Sequence, residues 1–139
     1  MKLMIDTNII IDVLTEREPF FEGSKNVLKL CEQKAVSGFI TASTVTDIFY
    51  LVRRHTHDVN AAYSCLGYLL NIVKILPVTN DNIISAYLIK AKDFEDCLLA
   101  ECAKSNGCGG IVTRNKKDFE DFGVRLLSPE EAVQLFDNR

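Results

Sequence analysis

The sequence has no long hydrophobic run, few histidines and no excess of basic residues. No apolar stretch approaches the roughly 18 residues that a membrane-spanning helix needs. The first carboxylate, Asp6, comes too early for the hydrophobic segment of a signal peptide. We therefore expect a cytoplasmic protein of a bacterium or archaeon, with no membrane partner. The formal net charge of −3 argues against a tight, nonspecific DNA binder but leaves room for an enzyme that grips a phosphodiester through metal ions.

The cysteines and histidines do not form a zinc or disulfide pattern. There are five cysteines, an odd number at irregular spacing and without a C-x-x-C pair. The only histidines are His55 and His57. This distribution predicts reduced, structural cysteines rather than a disulfide framework or a zinc site.

Short apolar runs alternate with segments of helical periodicity along the whole chain. At 139 residues the chain predicts one domain, residues 1–139, with one core. Alternation of strands and helices predicts an α/β fold in which helices flank both faces of a five-stranded parallel sheet. The predicted strands are 3–5, 39–42, 73–76, 111–113 and 124–127. The predicted helices are 9–15, 20–34, 45–54, 61–70, 83–90, 93–105 and one that starts at 129.

The first twelve residues organise the rest of the chain. The apolar run 3–5 stops at Asp6, and a second apolar run follows Thr7 and Asn8. A short apolar run with polar boundaries fits a buried parallel strand, and Asn8 is a suitable N-cap for the next helix. Asp6 should therefore lie at the carboxyl edge of a parallel sheet, where ligands bind in such folds.

Four acids lie directly after a predicted strand or near a predicted helix start. They are Asp6, Asp47, Asp96 and Asp118. Carboxyl ends of parallel strands share one edge of the sheet, and the helix starts lie there too. The four acids can therefore converge although they are far apart in sequence.

Each of the later acids also has an ordinary structural explanation. Thr44 to Asp47 resembles a capping box with aspartate in the glutamate position. The acids between Asp93 and Asp96 suit the positive end of a helix, and Asp118 suits a turn. Against this, Asp47 is the only charge within the segment 45–52, and Asp96 shares a helical face with apolar residues at i+3, i+4 and i+7. A carboxylate beside a core is costly unless it is paired or binds a metal.

A cluster of carboxylates with no histidine or cysteine nearby has the chemistry of a hard-cation site. Mutual repulsion raises carboxylate pKa values, and a divalent ion relieves that repulsion. Oxygen ligands favour Mg²⁺ or Mn²⁺, which can activate water and stabilise the leaving oxygen of a phosphodiester. The candidate supporting residues are Thr7, Asn8, Thr113 and Asn115. The candidate phosphate contacts are Arg114, Lys116 and Lys117, which also fit a solvated basic loop.

The chain resembles PIN-domain proteins in three segments. They are Met4–Asn8, Asp93–Asp96 with the apolar residues that follow it, and Ile111–Phe119. Their order and spacing cover nearly the whole chain, and the resemblance is greatest to the small prokaryotic members that include toxins of VapC type. The resemblance implies a five-stranded parallel sheet, an acidic site that binds Mg²⁺ or Mn²⁺, and endoribonuclease activity. It further implies homodimers and, for a toxin, a cognate antitoxin.

Carried over by position, the resemblance makes Asp6 and Asp96 metal ligands. Asp47 stands where the family more often has glutamate, so its shorter side chain is expected to hold the metal through water. Asn115 stands where many members have a fourth aspartate, and Asp118 is the residue that can replace it. The expected mechanism is attack of a metal-activated water on phosphorus, which leaves 5′-phosphate and 3′-hydroxyl ends.

Two other functions compete with this interpretation. A haloacid-dehalogenase-like phosphohydrolase also uses an aspartate after its first strand, but it needs a second aspartate where this chain has Asn8. A PIN fold that binds RNA or a protein without cutting is the other alternative, because Asp47 and Asn115 depart from the family pattern. Helix 61–70 is a candidate dimer face, although core packing also explains its apolar residues.

Overall fold

A computed structural model describes residues 1–137 of the chain. The last two residues of the predicted domain, Asn138 and Arg139, lie outside the described residues. None of the described helices is both long and apolar enough to cross a membrane. The strands are β1 (Lys2–Ile5), β2 (Ser37–Thr41), β3 (Val73–Leu76), β4 (Gly110–Val112) and β5 (Leu126–Leu127). The helices are α1 (Thr7–Leu14), α2 (Phe21–Glu32), α3 (Ala42–Thr56), α4 (Val59–Ile72), α5 (Asn80–Ile89), α6 (Phe94–Ser105) and α7 (Pro129–Phe136), with a 3₁₀ helix at Lys116–Phe122.

The five strands form one parallel sheet in the order β3-β2-β1-β4-β5, which confirms the predicted fold class. The central strand, β1, pairs with β2 on one side and with β4 on the other. Strands β2 and β3 therefore follow on one side of β1, and β4 and β5 follow on its other side. The carboxyl end of β1 lies at that switch point, where open α/β sheets bind ligands.

Side chains of β1 alternate between two hydrophobic cores. Leu3 and Ile5 pack with α1, α2, α3, α4 and α7 on one face. Met4 packs with α5, α6 and the 3₁₀ helix on the other face. All three side chains are fully buried, as expected for a strand covered on both faces. This double coverage holds β1 rigidly and so sets the position of the residue that follows it.

The structure corrects two predicted boundaries near the start of the chain. Helix α1 begins at Thr7, so Asn8 lies inside its first turn and Asp6 occupies the N-cap position instead. Strand β2 begins at Ser37, and Gly38 lies inside the strand rather than before it. A Cβ at Gly38 would stand 2.5 Å from Cys31 Sγ, so the close approach of α2 to the strand requires glycine there.

The start of α3 also differs from the prediction. Thr41 is the N-cap, and its Oγ1 accepts a hydrogen bond from the backbone N–H of Thr44 at 3.2 Å. Helix α3 therefore begins about one turn earlier than the predicted residue 45. Asp47 lies in its second turn, so the predicted capping box from Thr44 to Asp47 is wrong. Capping does not explain this carboxylate.

The predicted starts of α6 and α7 are confirmed, whereas α5 begins at Asn80, three residues before the predicted start at 83. Asp93 caps α6 by accepting a hydrogen bond from the backbone N–H of Asp96 at 3.0 Å. Thr79 and Ser128 form capping boxes at α5 and α7. The segment after β4, predicted as loop or turn, contains the 3₁₀ helix, and β5 is shorter than predicted.

Candidate active site

An open cavity of about 530 Å³ lies at the carboxyl end of β1, between the first turns of α1, α3 and α6. Four carboxylates line it: Asp6, Asp47, Glu95 and Asp96. None of them forms an ion pair with a lysine or arginine within residues 1–137. The sheet edge thus brings together three of the four predicted acids and adds one that was not predicted.

Asp6 is the most buried of these acids, with 6% of its surface exposed. The hydroxyl of Thr113 donates a hydrogen bond to Asp6 Oδ2 at 2.9 Å, and the backbone N–H of Asn115 donates to Thr113 Oγ1 at 3.0 Å. Burial raises the pKa of Asp6, and the bond from Thr113 opposes that rise. These contacts fix the orientation of Asp6 from the neighbouring strand.

Asp47 and Glu95 face each other across the cavity, from α3 and α6. A hydrogen bond shared with Asp47 is the main reason that the pKa of Glu95 rises to about 7, and burial adds to the effect. Two carboxylates share a hydrogen bond only if one of them carries a proton. The pair therefore avoids the repulsion of two full negative charges when no cation is present.

Asp96 lies in the first turn of α6 and is half-buried. Burial raises its pKa to about 7, and the nearby charges of Asp93, Asp6 and Asp118 add to the rise. This position agrees with the predicted helical face beside the core, because its neighbours Leu99 and Ala100 are buried.

Hydroxyl groups connect the first turns of α1 and α3 beneath the acids. Thr7 Oγ1 lies 3.4 Å from Thr44 Oγ1, which lies 2.9 Å from Thr41 Oγ1. Thr41 and Thr44 are buried. These contacts tie the segment that carries Asp6 to the helix that carries Asp47.

The segment after β4 contributes less to the cavity than predicted. Neither Asn115 nor Asp118 lines it. Asp118 is exposed on the 3₁₀ helix, although its charge is near enough to raise the pKa of Asp96. Asn115 acts through its backbone N–H on Thr113.

Two of the three predicted phosphate contacts have partners within the protein. Lys116 forms an ion pair with Glu131 on α7, which lowers the pKa of Glu131 to about 2. Arg114 forms an ion pair with Asp12, so its role is a contact within the fold rather than the predicted phosphate contact. Lys117 is exposed and remains a candidate.

Asp12 and the partly exposed Arg114 form an ion pair next to the site. Arg114 Nε donates to Asp12 Oδ2 at 2.9 Å and Nη2 donates to Oδ1 at 3.2 Å. The hydroxyl of Ser24 donates to Asp12 Oδ2 at 3.0 Å, and the Arg114 guanidinium lies 3.9 Å from the centre of the Phe20 ring. Asp12 is completely buried. The contacts with Arg114 and Ser24 compensate the charge of Asp12. They also connect α1, which carries Asp12, to α2 and to the segment after β4.

The donor set in the cavity has the chemistry that a hard divalent cation requires. Its charged ligands are carboxylate oxygens, and the cysteines and histidines lie elsewhere. Within the part of the chain that the structure describes, no three carboxylate, imidazole or thiol groups are close enough to hold one ion. The acids therefore fit Mg²⁺ or Mn²⁺ in type and charge, whereas their side chains are not arranged around an ion.

Three residues of the cavity that can have a function were not predicted from the sequence. Glu95 was assigned only to the charge of a helix end. Tyr50 and Arg54 also line the cavity. They follow Asp47 at i+3 and i+7, and this helical spacing was the signal that could have indicated them.

The chain belongs to the PIN domain family. The sequence model of that family matches residues 2–117, which contain Asp6, Asp47, Glu95 and Asp96. This assignment confirms the family resemblance and makes the haloacid-dehalogenase alternative unnecessary.

Individual relatives are distant in sequence but span nearly the whole chain. Ribonuclease VapC1 of Aquifex aeolicus is 24% identical over 138 residues, covering 96% of this chain and 94% of the relative. A VapBC2 structure from Rickettsia felis, bound to a promoter DNA fragment, matches 92% of this chain and 98% of its own at 20% identity, with a TM-score of 0.71. VapC20 of Mycobacterium tuberculosis, a toxin that cleaves the sarcin-ricin loop, matches 78% of this chain and 86% of its own at 16% identity, with a TM-score of 0.63.

Proposed function

We propose that this protein is a metal-dependent endoribonuclease and acts as the toxin of a toxin–antitoxin pair. The observation that carries the proposal is the group of four carboxylates without cationic partners at the carboxyl end of β1. Such a group destabilises the folded state, because like charges lie close together and are partly buried. The names of two relatives, a ribonuclease and a toxin that cleaves the sarcin-ricin loop, support an RNA substrate.

Asp6 and Asp96 would hold Mg²⁺ or Mn²⁺, with Asp47 and Asp118 as further candidate ligands. When bound, such an ion supplies an acidified water and neutralises charge on the phosphodiester. The Thr113 hydroxyl orients Asp6, and the contact between Thr7 and Thr44 holds the starts of α1 and α3 together. Lys117 is the candidate phosphate contact that remains on the segment after β4.

The expected products carry 5′-phosphate and 3′-hydroxyl ends. Neither His55 nor His57 lines the acidic cavity, so the histidine pair that would favour attack by the ribose hydroxyl is missing from it. Mass spectrometry of the cleaved ends tests this expectation. Products ending in 2′,3′-cyclic phosphate would contradict the mechanism.

The direct test is cleavage of single-stranded and structured RNA with Mg²⁺, with Mn²⁺ and with a chelator. Asp6→Asn and Asp96→Asn should each lower the rate at least about 100-fold, since each removes a proposed ligand. Asp81→Asn, an exposed acid outside the cavity, is the matched control. Full cleavage by both site variants, with contaminating nucleases removed, would refute the proposed site.

The toxin role predicts a cognate antitoxin, by analogy with the VapBC complex of Rickettsia felis. Expression of the chain in a bacterium should stop growth, and Asp6→Asn should abolish that effect. A second protein that restores growth should also form a stable complex with the purified chain. Growth arrest that persists in Asp6→Asn would separate toxicity from cleavage. A cytoplasmic location is expected for the same reason, because cellular RNA is the substrate.

A homodimer is also expected, and α5 is the surface best suited to it. Five of its apolar side chains are exposed: Ile83, Ile84, Tyr87, Leu88 and Ile89. Helix α4, considered above, gives Ala62 and Leu69 to the core and exposes Tyr63 and Leu70. Light scattering of Leu88→Glu should show a monomer if α5 carries the contact.

The second candidate function is a PIN domain that binds RNA or a protein without cleaving RNA. The observation in its favour is that no three potential ligands in residues 1–137 are close enough to hold an ion. RNA binding without cleavage, under all metal conditions and with structured as well as linear RNA, would favour it.

A further inference from the structure

One face of helix α3 carries an aromatic and a basic side chain beyond Asp47, along the wall of the acidic cavity. Tyr50 and Arg54 follow Asp47 at i+3 and i+7, so Arg54 lies about 10 Å farther along the helix axis. Tyr50 is 57% exposed. Arg54 is exposed and forms no ion pair with another residue of the described chain.

This face joins the acidic cavity to a second depression. Tyr50 and Arg54 line the acidic cavity and also an adjoining cavity of about 420 Å³, which is completed by Arg53 and His57. One surface therefore runs from four carboxylates to two arginines and a histidine. Basic residues in the last turn of a helix also interact favourably with its carboxyl end, but that effect does not require an exposed tyrosine between them and the acids.

We propose that Tyr50 and Arg54 form a binding track for single-stranded RNA that leads into the acidic cavity. The proposal rests on the proposed ribonuclease function and adds the part of the protein that holds the RNA strand beside the cleavage site. A base stacks on the Tyr50 ring, and Arg54 contacts a backbone phosphate, with Arg53 and His57 continuing the track.

The chemistry of the track favours single-stranded RNA. Aromatic rings alternating with cations are the usual means of holding a single strand, because every base has a face that can stack. A chain of net charge −3 has no general attraction for phosphates, so a local basic surface must supply it. The cavity beside the track is acidic and repels phosphate unless a cation is present. The strand is therefore held by α3 at a distance from these charges.

The test is binding of a short fluorescein-labelled single-stranded RNA, measured by fluorescence anisotropy in a chelator so that no cleavage occurs. Tyr50→Ala should weaken binding about fivefold or more, whereas Tyr50→Phe keeps the stacking face and should bind like the wild type. Arg54→Ala should weaken binding and reduce the slope of log affinity against log salt by about 0.7, the value for one phosphate contact on a single strand. Arg54→Lys should restore most of that slope.

Arg125→Ala is the matched control, because Arg125 is exposed just before β5, at the opposite end of the strands from the cavity. It should leave affinity and salt slope unchanged. Thermal unfolding of each variant confirms that the fold is kept. Equal RNA binding by the wild type, Tyr50→Ala and Arg54→Ala would overturn the proposed track. A wild-type chain that binds no RNA would also overturn it, even if this face binds another protein.

Cleavage measurements separate the track from the proposed function. If the wild type cleaves RNA and both alanine variants cleave equally well at limiting RNA, the track is wrong and the ribonuclease stands. If the wild type binds RNA without ever cleaving it, and both alanine variants bind RNA more weakly, the track is right and the ribonuclease function fails.

Discussion

Two aspartates near the start of the chain, Asp6 and Asp12, illustrate opposite ways of placing a carboxylate in a fold. Asp12 is completely buried and accepts hydrogen bonds from Nε and Nη2 of Arg114 and from the Ser24 hydroxyl. Asp6 is nearly as buried, but its side-chain partner is the Thr113 hydroxyl, and the other acids of the cavity form no ion pair with a lysine or arginine of residues 1–137. One acid has its cation built into the protein, and the other lies where an external cation can be supplied.

The difference separates Asp12, which has its ion-pair partner within the fold, from the acids of the candidate site, which have none within residues 1–137. Burial alone does not distinguish Asp12 from Asp6, since both side chains are buried. The compensation of charge does distinguish them. Arg114 and Ser24 satisfy Asp12, whereas Asp6 lies near Asp96, whose pKa is raised by burial and by the charges of Asp93, Asp6 and Asp118. The two regions still meet, since Arg114 directly follows Thr113 and its charge favours the ionised form of Asp6.

The largest effect is expected from removing Asp12, which breaks its ion pair with Arg114. Asp12→Ala should lower the free energy of unfolding by about 3 kcal/mol, because the partly buried Arg114 charge loses its partner. Urea denaturation measures this loss, which is a large part of the usual 5–15 kcal/mol. Asp81→Ala, an exposed acid, should cost less than about 1 kcal/mol. A double variant with Arg114→Ala should cost less than the sum of the two single changes, and strict additivity would contradict the pairing.

The next effect concerns the binding of a divalent cation in the acidic cavity. Mg²⁺ or Mn²⁺ at about 100 times its dissociation constant should stabilise the protein by about 2.7 kcal/mol, because only the folded chain presents the site. Thermal unfolding with the ion and with chelator measures the difference. Asp96→Asn should abolish it, while Asp81→Asn should keep it. An equal rise in melting temperature for the wild type and Asp96→Asn would place the ion elsewhere.

A smaller effect is expected from the residue that orients Asp6. Thr113→Val keeps the shape of the side chain but removes the donor to Asp6 Oδ2 and the acceptor for the Asn115 N–H. RNA cleavage should fall about ten- to 100-fold, as for other residues that orient a metal ligand. Thr113→Ser keeps the hydroxyl and should recover most of the activity. If valine and serine behave alike, the hydrogen bond does not matter for the reaction.

The smallest effect is the pH dependence of stability without metal. Folding raises the pKa of Asp96 from 3.8 to about 7, so between these values the folded chain keeps a proton that the unfolded chain releases. Stability should therefore fall as pH rises through this range and level off above it. Because Asp96 is only half-buried, screening by solvent should limit its share to about 1 kcal/mol or less. Urea denaturation in chelator at pH 5 and pH 8 tests this, and Asp96→Asn should show a shallower decline. A wild-type stability that rises with pH would contradict it.

Much of the fold was predictable because local patterns agree with it. The apolar runs of β1 and β3 are bounded by polar residues or proline, and the caps at Asp93 and Ser128 have local signatures. Errors arose where a local signal was ambiguous. Thr41, Ser43 and Thr44 are all good caps, and the hydrogen bond that selects Thr41 depends on where β2 ends.

The candidate site was predictable in part for the same reason. Asp6 and Asp96 follow regular elements and lie where parallel topology places them. Asp118 does not reach the cavity lining, because the 3₁₀ helix carries it to the surface. Glu95 was missed because its partner, Asp47, lies on another helix and the two meet only in the folded chain.

The sequence by itself determined the class of fold, the strand that carries Asp6 and the presence of acids at several helix starts. These features follow from hydrophobic periodicity and capping, which act over a few residues. Only the tertiary structure decided which acids are compensated. Asp12 meets Arg114 across 102 residues of sequence, and Asp6 meets Thr113 across 107. The cost of a buried charge depends on the groups that surround it, and those groups are brought together by packing.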